Sequence, residues 1–126
     1  MILLGVICSF FLAGCSVDET PADIHQKLVP QIAQELIQHH DSSRVTGLTL
    51  EIKSALEKHS VDDVTFTIGA PALYGKYGLI FYETGISFYT KQDHKCFLAL
   101  GFMLNADEKG YILDGYSLDG VPHVTP

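Results

Sequence analysis

Basic side chains are scarce in this 126-residue chain: eight Lys and Arg stand against fifteen Asp and Glu, giving a net charge of −7. An acidic domain repels phosphate backbones, so DNA and RNA are disfavoured as partners. The short motifs that announce chemistry are also missing. Six histidines are present, but none shows the H-E-x-x-H or similar close spacing that a zinc site needs. Around Ser117, "GYSLDG" has the wrong spacing for a nucleophile elbow. Asp107, Asp114 and Asp119 do not fit a calcium loop. No glycine pattern suits a nucleotide phosphate. The run "HHDSSR" at 39–44 holds the residue types of a serine hydrolase, but neighbours in one loop cannot converge as nucleophile, base and orienting acid. The sequence therefore names no catalytic residue and calls for no metal and no cofactor.

Charge is absent from the start of the chain altogether. Residues 1–14 carry no ionisable side chain except the thiol of Cys8, and Ile2, Leu3, Leu4, Val6, Ile7, Phe10, Phe11 and Leu12 form an apolar run that ends in small residues. This is the pattern of a secretory signal. A membrane span needs roughly 20 apolar residues, and the polar run from Ser16 begins too soon.

The four residues Leu12-Ala13-Gly14-Cys15 close that run. They resemble, position by position, the lipobox of bacterial lipoproteins. The resemblance implies cleavage before Cys15 and attachment of acyl chains to its thiol. One departure is that the segment before the apolar run has no Lys or Arg. The alternative is an ordinary signal peptide with an incidental cysteine. Lipidation of this kind supplies two or three chains, and two suffice for stable anchoring to a membrane. The implied address is the bacterial cell envelope. Ser16, rather than Asp, after the lipidated cysteine implies the outer membrane, facing the periplasm, if the source is Gram-negative. On this reading Cys8 leaves with the signal, so Cys96 has no intrachain partner. Its place at the head of "CFLALGFML" then suits a small buried hydrophobe.

The organisation expected is a signal at 1–14, a polar tether at 15–20 and one domain over 21–126, long enough to fold without staples. Thr20, Pro21 and Asp23 read as a helix start. Ile24, Leu28, Val29, Ile32, Ala33, Leu36 and Ile37 follow at helical spacing, with a kink or fresh start expected at Pro30. A second helix is predicted from about Glu51 to His59. Beyond it Val64, Phe66 and Ile68 alternate as a strand, and Gly69-Ala70-Pro71 reads as a bend or bulge. Residues 78–91 are expected to make two strands joined at Glu83-Thr84-Gly85. "CFLALGFML" is the central strand, "NADEKG" a turn, and Tyr111–Leu118 the last strand.

Two helices on one face of a curved antiparallel sheet of four to five strands make an α+β domain. The order of elements, and the closing "KGYILDGYSLDG", resemble the nuclear-transport-factor-like and cystatin-like rolls. That resemblance implies a ligand- or protein-binding domain, or an isomerase-like enzyme with a His, Asp or Tyr in its cone. His25, His39 and His40 fall on the broad apolar side of the first helix, and the six tyrosines lie in or beside strands. Two functions stay open. One is a lipoprotein anchored through Cys15 that binds a protein or small ligand at the sheet's outer face or under the first helix. The other is a small roll-type enzyme joining a His of the first helix to an Asp or Tyr of the sheet.

Overall fold

A computed structural model describes residues 20–104 and 110–124. The signal, Cys15, most of the tether and the expected "NADEKG" turn lie outside the described residues. Helix α1 (Pro21–His39) starts where the sequence says it should. The Thr20 side chain accepts from the Asp23 amide, and the Asp23 carboxylate accepts from the Thr20 amide, a reciprocal capping box. The Thr20 hydroxyl, which also donates to that carboxylate, contributes most to holding the Asp23 carboxyl below its usual range, with the Thr20 amide next.

Of the kink or fresh start expected at Pro30, the fresh start does not occur: α1 runs on through it. Its own side chain is exposed, while Val29, Ile32, Ala33 and Leu36 around it are buried. Tertiary packing of that stripe outweighs one missing amide bond. Pro30→Ala is therefore expected to stabilise the domain by about 1–2 kcal/mol, the helix-interior cost of proline less the entropy it removes from the unfolded chain. Thermal unfolding of the two proteins reads this directly.

After α1 the chain forms a short strand β1 (Val45–Thr46), helix α2 (Leu50–Glu57) capped by Thr49, a 3₁₀ turn at Val61–Asp63, and β2 (Val64–Ile68). Strands β3 (Ala72–Lys76), β4 (Leu79–Thr90), β5 (Cys96–Leu104), β6 (Tyr111–Leu118) and β7 (Val121–Val124) follow. Among the described residues the result is an α+β fold with two helices and a seven-stranded sheet, larger than the four to five strands expected. It is also mixed. The order is β1-β6-β5-β4-β2, with β3 on β4 and β7 on β6, and β1 runs parallel to β6. The parallel strand was hidden because Val45 also fits a helical period.

The expected hairpin at Glu83-Thr84-Gly85 does not form. β4 runs unbroken through those residues, and the reversal comes earlier, at Tyr77-Gly78, both with positive φ (54° and 74°). Asp119-Gly120 make the same turn before β7. β2 and β3 lie end to end along one edge of β4, with Gly69-Ala70-Pro71 bulging between them, as the proline predicted.

What Gly85 does instead is align with Gly101 of β5 and Gly115 of β6, in register across three strands. The Gly69 amide donates to the Gly85 carbonyl (2.8 Å) and extends the row. A Cβ on Gly85 would stand 3.3 Å from the Leu100 carbonyl oxygen, and one on Gly115 3.2 Å from that of His123. Register shifts flank the row, at 69–71 and between Gly101 and Phe102. Bulged strands bend and twist more strongly, so the sheet is creased along this row, and α1 packs against β2 and β4. The core inside holds Val29, Ile32, Leu36, Ile52, Ile86, Phe88, Leu98, Leu100, Phe102 and Tyr111.

Candidate functional site

The space under α1 is filled. The imidazole buried there is His25, 1% exposed, whose Nδ1 is 2.8 Å from the Tyr111 hydroxyl of β6. Helical phase puts His25 on the buried stripe, and strand alternation points Tyr111 at it. The neighbours are aromatic: Tyr82 of β4 lies 6.1 Å from the His25 ring and Phe102 stands edge-on to Tyr111. In either tautomer the other ring nitrogen, Nε2, is buried with no hydrogen-bond partner among the described residues. Burial lowers the His25 pKa and pushes that of Tyr111 up to about 12. Both groups are neutral at pH 7.

A His of the first helix does therefore meet a Tyr of the sheet, the combination a roll-type enzyme would use. Neither residue lines the recesses around His59, beside His39 and Ser42, or beside Gly85 and Gly101. His39 is exposed, and His40 forms the left-handed C-cap (φ 58°) with its amide bonded to the Leu36 carbonyl.

The "HHDSSR" loop turns out to be structural. Ser42 donates to Glu35 Oε2 (2.6 Å), and Arg44 reaches Glu35 Oε1 (3.1 Å) and Gln31 (2.5 Å). These contacts fasten the end of α1 to β1. Lys53 of α2 pairs with Asp41 of the same loop (3.2 Å).

The open site lies where α2 crosses the start of β5 and the β6–β7 turn. A recess of about 380 Å³ is lined by Glu51, Ser54, Lys58, His59, Phe97 and Asp119, among others. His59 stacks on Phe97 (centroids 4.0 Å apart, 35°) and also walls a second recess of about 210 Å³ with Asp63, Thr90 and Gln92. Phe97 is placed there by a register shift between Phe88 and Tyr89, which leaves it as the extra residue of a bulge. The Asp119 amide donates to the Phe97 carbonyl (3.0 Å) and fixes the rim. Tyr116 donates to Glu51 (2.5 Å), which raises the tyrosine's pKa, and its ring stacks on His123 (4.6 Å, 3°).

An aromatic floor with carboxylates, an ammonium and an imidazole on its rim suits recognition of a polar or zwitterionic group. Sequence reading assigned His59 only the end of a helix and singled out no role for His123. Both are instead half-buried ring-stacking residues. The signal for the site was weak, since its residues come from segments far apart in the chain.

Cys96 is a free thiol, half-buried rather than buried, with Sγ 3.6 Å from the Leu98 carbonyl. Among the described residues no group of three or more His, Cys, Asp or Glu could hold a metal ion, and no helix is long and apolar enough to cross a membrane. No protein-family model, no curated protein and no solved structure matches the chain.

Proposed function

We propose that the chain is a lipoprotein of the bacterial cell envelope, held at the membrane through Cys15, whose domain binds a protein or small ligand in the recess between α2 and β5. The observation that carries the address is the lipobox-like Leu12-Ala13-Gly14-Cys15 directly after an apolar run. The binding role is supported by the recess around His59 and Phe97, where charged groups of both signs surround a stacked pair of rings. The finer fold reading, a cystatin-like roll, is supported by a sheet creased along its glycine row with one long helix packed against it.

Labelling cells with a fatty-acid precursor tests the anchor. Label on the wild type, lost in Cys15→Ala together with membrane fractionation, is the expected result; an unlabelled wild type sinks the reading. For the recess, Lys58→Ala is expected to change stability by no more than about 0.5 kcal/mol, as exposed substitutions do, and His59→Ala, which removes a ring stacked on Phe97, to cost about 0.5–1.5 kcal/mol.

The roll-type enzyme stands as a second reading because His25 and Tyr111 are within hydrogen-bonding distance. Amide shifts on titration with short peptides and small polar ligands separate the two. Shifts at Lys58, His59, Phe97 and Asp119 favour the recess, and shifts centred on His25 and Tyr111 favour the buried pair.

A further inference from the structure

On the far side of Tyr82, β4 continues toward its turn with β3. β5 pairs with β4 only as far as Tyr82↔Leu104, so among the described residues 79–81 pair with β3 alone and form a two-stranded arm turned at Tyr77-Gly78. An exposed hairpin in an acidic domain would be expected to be polar. This one is not. Leu73 is 66% exposed, Ile80 70% and Tyr77 89%, and from Gly69 to Tyr82 the sequence holds a single charged residue, Lys76. Leu73 and Ile80 share a face, since Leu73 pairs with Tyr82, and Ile80 and Tyr82 are two apart on one strand.

That face is the one turned toward α1. Tyr82 packs against His25, one turn inside the helix, and Ile80 is the next residue outward on the same side. The arm therefore lies at the end of the molecule where α1 begins. Thr20, the cap of that helix, follows Cys15 by five positions, a reach of about 17 Å at full extension. A chain anchored at Cys15 must hold this end of the domain at the bilayer.

We propose that the β3–β4 arm is a second membrane contact, in which Leu73, Tyr77 and Ile80 seat in the headgroup region beside the lipid anchor. This rests on the lipoprotein reading above. Tyrosine is enriched at that depth because its ring is apolar and its hydroxyl is wet. The arm cannot go deeper, because β3 pairs only with β4 among the described residues and its outer backbone groups need water or headgroups as partners. Net charge argues against electrostatic adsorption, so the contact should not depend on anionic lipid.

The chain has no tryptophan, so one introduced residue reports alone. Full-length Tyr77→Trp, purified from membranes and reconstituted into phosphatidylcholine vesicles containing brominated lipid, is expected to lose most of its fluorescence. Leu50→Trp, at the exposed start of α2, should keep it. Adding Leu73→Ser and Ile80→Ser to the Tyr77→Trp protein should restore the signal without changing its circular dichroism. Intact mass distinguishes the two ways of failing. Absence of acyl chains overturns the anchor and this proposal with it. An acylated Tyr77→Trp protein that is unquenched, or quenched only when anionic lipid is present, overturns the arm contact alone. An indole at this position that is shielded from acrylamide in native envelope vesicles yet untouched by brominated lipid would assign the arm to a protein partner and also overturn it.

Discussion

Phe102→Ala is expected to cost about 3–5 kcal/mol, the range for emptying a buried aromatic site. A domain of this size has a total stability of about 5–15 kcal/mol, so the variant should be partly unfolded at physiological temperature. Phe102 is fully buried, sits next to Gly101 at the register shift, and stands edge-on to Tyr111 at 6.1 Å. Its loss removes packing where the crease leaves backbone atoms too close together for neighbours to close in. Phe102→Leu should recover much of the loss, since it restores most of the volume. Urea denaturation gives both values. A cost for Phe102→Ala under about 1 kcal/mol, well below the usual range, would mean that the creased sheet collapses freely and that the packing described is wrong.

The second large effect centres on His25. Tyr111→Ala should cost about as much as Phe102→Ala, because it empties a buried ring site and strands an imidazole. The finer comparison is Tyr111→Phe. It removes one oxygen and leaves His25 with both nitrogens unpaired among the described residues, at a cost of about 1–3 kcal/mol. Adding His25→Leu removes the stranded group, so the double variant should be more stable than Tyr111→Phe alone. Two independent losses that simply add would refute the coupling.

The pH dependence follows from the same pair. Burial lowers the folded-state pKa of His25, so near and below the unfolded value of about 6.5 the unfolded chain takes up a proton that the folded one refuses. Stability contributed by neutral His25 is present above that pH and is lost as pH falls toward the folded pKa. Asp23, Asp41 and Asp93, whose pKa values are lowered, lose their contributions only further into acid. Tyr111 works in the opposite direction: burial raises its folded value to about 12 against 10, so its contribution is present below about pH 10 and disappears as pH rises through that interval. As pH falls below about 6.5, His25→Leu should flatten the stability profile relative to wild type. Equal slopes in the two proteins would place the titrating groups elsewhere.

Local rules explain the elements that were legible beforehand. Thr20, Pro21 and Asp23 mark a helix start because their interactions reach only three residues along the chain. The bulge at Gly69-Ala70-Pro71 was readable because proline has no amide to donate. Gly85 was misread for a related reason: a glycine between two apolar runs signals a turn or a close backbone approach, and the local pattern does not distinguish them. Only the pairing of Gly85 with Gly101 and Gly115 makes it a crease residue. The recess around His59 was invisible for the same cause, since its floor comes from a bulge in β5 and its rim from α2 and the β6–β7 turn.

The sequence by itself determined the acidic charge, the capped first helix, the α+β class and the lipobox-like segment, all of which depend on composition or on residues a few positions apart. The tertiary structure decided which histidine is buried, which glycines crease the sheet and where the open recess lies. It also decided that an apolar hairpin is exposed at the end where α1 begins. Those outcomes depend on register between strands, and register is fixed by contacts that a local pattern does not contain.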